Sequence, residues 1–117
     1  MTPHHRPGGT LVEVTSPEVR IVEAQDFLDL MATVRHYHGA HGVVLPSSAF
    51  CADFFDLKTG LAGEILQKSS NYGFRLAIVG DFSGMDAGPL RDFIRESNRG
   101  NQVLFVDSTE AALERLA

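Results

Sequence analysis

The chain has 117 residues, of which 44% are hydrophobic and 21% charged, with a formal net charge of -5; this size suits one domain around one core. The acid excess excludes a broad phosphate-binding surface, which needs basic residues. No apolar run approaches the roughly 18 residues of a membrane span, and no signal-like segment opens the chain. The single cysteine, Cys51, cannot form an internal disulfide, which fits a reducing compartment. The expectation is a cytoplasmic protein that takes neither nucleic acid nor membrane as partner.

MTPHHRPGG, residues 1–9, has two prolines, two glycines and no apolar period, so it reads as a flexible leader to a single α/β domain over residues 10–117. Thr10 to Thr15 and Val19 to Glu23 alternate in apolar character around Ser16-Pro17-Glu18, the pattern of an opening hairpin. From Ala24 to His38, Phe27, Leu30, Met31, Val34 and Tyr37 recur at helical spacing before Gly39, predicting an amphipathic helix. GVVLP (Gly42 to Pro46) reads as a buried strand. Phe54 to Lys68 reads as the next helix, capped by Asp53, with Asp56 in its first turn and Phe54, Leu57, Leu61 and Ile65 facing the core.

FRLAIVG (Phe74 to Gly80) is apolar almost throughout, as a central strand covered on both faces should be. Pro89 opens a helix that runs to about Arg99. Gln102 to Val106 predicts a last strand, and Asp107 with Glu110 resembles the cap of a closing helix. The order β-β-α-β-α-β-α-β-α predicts a mixed, mostly parallel sheet of about five strands with about four helices.

Gly60 and Gly63 stand inside the helix read over Phe54 to Lys68, where each costs roughly 1 kcal/mol against alanine. With Thr59 and Gln67 they form a strip of small side chains, on which another backbone, from the same domain or from a partner, can approach closely.

Ligands of open α/β sheets bind beyond the carboxyl ends of the parallel strands. Those ends carry Ser47 and Ser48, then Asp81 to Gly84, then Asp107 and Ser108. Their carboxylates and hydroxyls suit a polar ligand or an acid/base pair, and equally suit turn and cap formation. His36, His38 and His41 crowd one segment, but a spacing of two on a helix turns imidazoles to different faces, so no metal site and no cofactor is expected. At a helix C-terminus they complement the dipole. Cys51 lacks the local pattern of an activated thiol. Arg91, Arg95 and Arg99 share a helix with Asp92 and Glu96, which predicts a solvated, internally paired face.

Three blocks, DFFDLKTGLAGEILQK, LAIVGDFS (Leu76 to Ser83) and LRDFIRESNRGNQVLFVDS (Leu90 to Ser108), closely resemble a bacterial family known as domain of unknown function 4180. That resemblance implies a small α/β domain and supplies no activity or catalytic residue. Ala52 stands where the family form has proline, and the histidine-rich segment lies outside the resemblance. In topology, and in the closing segment VLFVDSTEAALERL, the chain is also similar to the sulfate-transporter and anti-sigma-factor-antagonist (STAS) domains. Signalling members of that group carry a phosphorylatable Ser or Thr before Gly-Leu, near the start of the helix after the third strand. Thr59-Gly60-Leu61 is similar to that pattern, although Asp56 is one residue too distant.

The function expected from these readings is a STAS-like protein-interaction or ligand-sensing module, monomeric or homodimeric. Its surface would combine Ser47, Ser48, Asp56, Thr59, Gly60, Gly63, Asp81 and Ser83. The alternative is a small cofactor-independent enzyme acting on a polar metabolite, with Asp81 as acid/base and Asp107, a serine or a histidine positioning substrate.

Overall fold

The computed structural model describes residues 1–83 and 88–116; Gly84, expected in the strand-end loop, and Ala117 lie outside them. Five strands and five α-helices follow in the order β1 (Thr2–Arg6), β2 (Gly9–Glu13), α1 (Ala24–His38), β3 (Gly42–Pro46), α2 (Ala52–Phe55), α3 (Leu61–Tyr72), β4 (Arg75–Val79), α4 (Pro89–Asn98), β5 (Val103–Val106) and α5 (Thr109–Leu116). They build one sheet of order β1-β2-β3-β4-β5. β1 is antiparallel to β2, and the four later strands are parallel.

The opening hairpin lies one strand earlier than expected. Thr2–Arg6, read from sequence as leader, pairs with Gly9–Glu13 around a two-residue loop at Pro7-Gly8, the residue types that favour a turn. Val19 to Glu23 forms no ladder; only Ile21 makes an isolated bridge, to Phe50. Ile21 is nonetheless buried, so the apolar alternation of this segment reports burial under the loop rather than strand pairing.

Parallel strands laid down in sequence order, joined by right-handed crossovers, send every connecting helix to one face. Phe27, Leu30, Met31 and Val34 of α1, Leu61 and Ile65 of α3 and Ile94 of α4 accordingly share a core with Val12, Val43, Leu45, Leu76, Ile78 and Phe105. The other face, Leu11, Val44, Ala77 and Leu104, is covered by Ala112, Leu113 and Leu116 of α5 alone. Leu76, Ala77 and Ile78 of β4, like Val43, Val44 and Leu45 of β3, are buried, because these two inner strands have neighbours on both edges and helices on both faces.

Both edges of the sheet are blunted. His41 N–H donates to Thr10 O and Val14 N–H to Val44 O, so β2 turns Thr10, Val12 and Val14 toward β3. The register then leaves Pro3 and His5 on the outer edge of β1, and proline offers no N–H to an added strand. On β5, the Asn98 side chain accepts from Phe105 N–H at 2.8 Å and donates to Phe105 O at 3.0 Å. That amide takes the place of a neighbouring strand.

The helix expected over Phe54 to Lys68 is broken. α2 ends at Phe55, a 3-10 turn spans Leu57–Thr59, and α3 starts after Gly60. Gly60 has φ 78°, a left-handed conformation that costs other residues about 1–2 kcal/mol. Backbone geometry therefore explains Gly60. No close approach explains either glycine, since a Cβ at Gly60 or Gly63 would meet nothing within 4 Å.

Candidate functional site

Several clefts open at the end of the sheet where the parallel strands terminate, and two of them hold residues expected on the functional surface. The first is a groove of about 540 Å³ between the start of α1 and the α2–α3 segment, lined among others by Val22, Gln25, Leu28, Asp53, Thr59 and Glu64. It forms because α1 and α3 start side by side on one face and the broken helix leaves Thr59 at the rim. Glu23 and Asp26 form a capping box at the start of α1, in which the Asp26 carboxylate accepts from Val22 N–H at 2.9 Å and from Glu23 N–H at 3.0 Å. Val22, at the groove, is 53% exposed.

Thr59 is fixed rather than free. Its hydroxyl lies 2.6 Å from Asp53 O and 2.9 Å from Asp56 O, and accepts from Leu61 N–H at 3.3 Å. Asp56 accepts from Lys58 N–H at 3.2 Å, capping the 3-10 turn. Asp53, expected as a cap, is replaced at that position by Cys51, which precedes α2. Cys51 Sγ lies 3.8 Å from Val22 O, a packing position.

The second cleft, of about 510 Å³, is lined by Gly80, Asp81, Phe82, Ser83, Phe105, Val106, Asp107 and Ala111. Phe82 packs edge-on to Phe105 at 5.5 Å between centroids, and Phe105 also meets Phe54 at 6.3 Å and Phe93 at 6.1 Å. The cleft thus rests on a phenylalanine cluster that continues beneath the groove. Ser108, rather than Asp107, caps α5, its hydroxyl accepting from Ala111 N–H at 3.1 Å. The Asp107 carboxylate is consequently left exposed at the cleft.

Asp81 Oδ1 accepts from Ser83 Oγ at 2.5 Å and from Ser83 N–H at 3.0 Å. These bonds, the hydroxyl first, hold the Asp81 carboxyl below the usual carboxylate range. A group that stays ionised so readily is a poor proton donor near neutral pH.

The structure divides the residues expected on one surface. Thr59 and its neighbours Asp56, Gly60 and Gly63 belong to the groove side, whereas Asp81, Ser83 and Asp107 belong to the strand-end cleft. Ser47 packs against Gly80, where an added Cβ would lie 2.6 Å from Ser47 Oγ. Ser48 faces a third depression with Thr15, Pro17 and Arg20. The three histidines stay apart as well. His41 stacks on Gly9 at the start of β2, while His36 is exposed against Tyr37. Among the described residues no three His, Cys, Asp or Glu side chains gather as a metal site. Arg99 pairs with Glu96 at 3.1 Å on the surface, where such a pair contributes little.

Val22, Gln25, Leu28 and Glu64 were not singled out in the sequence. Leu28 carried a usable signal: it is an apolar residue beside, not on, the Phe27–Leu30–Met31–Val34 stripe of α1.

Among the described residues no helix is long and apolar enough to cross a membrane. No curated protein and no solved structure matches the chain significantly. One family does: its profile spans residues 7–116, taking in the second half of the hairpin, both clefts and all five helices. The chain therefore belongs to the family described as Domain of unknown function (DUF4180).

Proposed function

We propose that the protein is a non-catalytic, STAS-like binding module that holds a protein partner in the groove between α1 and the α2–α3 segment. The observation that carries this reading is the position of Thr59-Gly60-Leu61: it leads into α3, the longer of the two helices between β3 and β4, and Thr59 and Leu61 line the groove of about 540 Å³. The antiparallel first strand followed by four parallel strands agrees with the same resemblance. The groove combines apolar Val22, Leu28 and Leu61 with the ionisable Asp53, Glu64 and Lys68, a mixed lining of the kind that protein interfaces use. The enzyme alternative draws less support, because Asp81 is exposed and made more acidic by Ser83, the opposite of a carboxyl tuned for proton transfer near neutrality.

Affinity capture from extract of the source cells tests the reading with four baits: wild type, Leu28→Glu, Thr59→Arg and Asp81→Asn. The expected result is one specific protein retained by wild type and Asp81→Asn and lost from both groove variants. Retention by the groove variants with loss from Asp81→Asn would move the site to the strand-end cleft. A thermal-shift screen against metabolites addresses that second site directly: a stabilising metabolite whose effect disappears in Asp81→Asn and Asp107→Asn would contradict the groove reading.

A further inference from the structure

β1 adds a fifth strand to the sheet without adding to either core. Thr2, Pro3, His5 and Arg6 are exposed and only His4 is half-buried, and no residue of β1 belongs to the clusters on the two faces of the sheet. The family profile begins at residue 7 and leaves β1 out. The strand is held by its ladder with β2, by His4 Nε2 to Glu13 Oε1 at 3.2 Å and by His5 Nδ1 to Thr10 Oγ1 at 3.0 Å. Glu13 and Thr10 both lie on β2. These bonds therefore require a β1 strand beside β2, and not that the two strands come from one chain.

The loop that joins the two strands fits them badly. A two-residue hairpin loop matches the right-handed twist of its strands through a type I′ or II′ turn, and both need positive φ at the first loop position. That position is Pro7, whose ring holds φ at about −65°. Neither Pro7 nor Gly8 has positive φ, so both favoured turns are excluded, and with them type II, which needs positive φ at the second position. An unprimed turn in so short a loop splays the strands. Positive φ falls instead on Gly9, at 136°, within the pair that closes the ladder against Arg6. A Cβ there would stand 2.5 Å from His41 Nδ1, so the distortion sits on a residue that only glycine can fill.

We propose that β1 is exchanged between two copies of the chain, the β1 of each completing the sheet of the other along the edge of β2. Exchange keeps the ladder and both histidine contacts, because their partners on β2 are the same in every copy. It also lets Pro7-Gly8 extend, which suits the fixed φ of proline, and frees Gly9 from its left-handed conformation. Short hinge loops under strain are where domain swapping arises. The occupant is a second copy rather than a strand of another protein, because β1 supplies the side chains that β2 already matches, His4 to Glu13 and His5 to Thr10. Pro3 then closes the far edge to further strands. The exchange involves no groove residue and does not rest on the groove reading.

The test uses full-length proteins carrying Cys51→Ser, so that introduced thiols are the only ones. His5→Cys and Thr10→Cys are made as separate variants, since the two positions face each other across the ladder. They form a non-hydrogen-bonded pair, with Cα atoms about 4.5 Å apart, within reach of a disulfide. The two variants are co-expressed, purified together, oxidised with copper phenanthroline and run on a non-reducing gel. A covalent dimer is expected from the co-expressed pair and from neither variant alone. In a closed hairpin each thiol faces an unmodified residue of its own chain, so absence of that dimer overturns the proposal, as does a dimer formed equally by either variant alone. Light scattering over a concentration series gives a second readout that needs no cysteine and decides the matter if circular dichroism shows a thiol variant unfolded. The wild type is expected as a dimer, and Pro7→Asn, which supplies the Asn-Gly pair of a type I′ turn, should weaken that dimer about tenfold or more. A monomeric wild type, or a dimer equally stable in Pro7→Asn, would contradict the exchange.

Discussion

The two ends of the sheet differ in charge and in the side chains they expose. At the carboxyl end of the parallel strands, the first turns of α1, α3, α4 and α5 hold Asp26, Glu64, Asp92 and Glu110, and the loops add Asp81 and Asp107. At the amino end, the last turns hold Arg35, His36 and His38 of α1, Arg95 of α4 and Arg115 of α5. Parallel strands force every connecting helix to run the same way, so every helix dipole adds to the same asymmetry. Charge polarity of this kind follows from the architecture and is no evidence of function by itself. What the dipoles leave unexplained is the better guide: an open groove with an exposed Val22 at one end, and the exposed Tyr37 and Tyr72 at the other.

Removing the aromatic support of the carboxyl end gives the largest expected effect. Phe54 is buried and touches Phe50, Phe55 and Phe105, so Phe54→Ala should cost about 3–5 kcal/mol in chemical denaturation. A loss well below this range would mean that α2 and the groove wall are not anchored to the sheet as described.

Glycine substitutions test the backbone rather than the packing, and at this level the two ends are alike. Gly60 and Gly73, at φ 78° and 59°, mark one turn at each end, and replacing either by alanine should cost about 1–2 kcal/mol. Gly63 lies within α3, exposed and with open space where a Cβ would stand. Gly63→Ala should therefore stabilise the protein by about 1 kcal/mol. Equal signs for Gly60 and Gly63 in the same denaturation series would show that the two share a packing role after all.

The smallest expected effect is electrostatic and confined to the carboxyl end. Ser83 lowers the folded-state pKa of Asp81, so the associated stability is present above the ordinary carboxylate pKa and is lost as pH falls through the folded value. Comparing acid denaturation of wild type with Asp81→Asn, the variant should show the shallower loss of stability across that acidic window. Identical profiles would mean that the Asp81–Ser83 turn does not persist in solution.

Much of this architecture can be read from local pattern. The boundaries of α1 and β3 follow directly from the apolar spacing of Ala24–His38 and from GVVLP, because amphipathic period and a bounded apolar run are short-range signals. β1 was obscured because Thr2–Arg6 is almost wholly exposed, which leaves no apolar alternation to detect. Gly60 is the break between two helices rather than an interruption inside one, and the cap of α5 falls on Ser108, one residue beyond Asp107. Single-residue shifts like these depend on backbone dihedrals that side-chain pattern does not encode. The groove was the least legible feature. It joins Val22–Leu28 to Asp53–Lys68, segments that meet only because α1 and α3 pack on the same face.

Residue-resolved mapping of the captured partner tests the functional account most directly. With isotope-labelled protein, addition of that partner should shift the backbone amides of Val22, Gln25, Leu28, Asp53, Thr59 and Glu64, which line the groove, and leave Gly80, Asp81, Ser83 and Asp107 at their free positions. Shifts centred on Gly80 to Ser83 and Asp107, with the groove amides unmoved, would contradict the account and assign binding to the strand-end cleft.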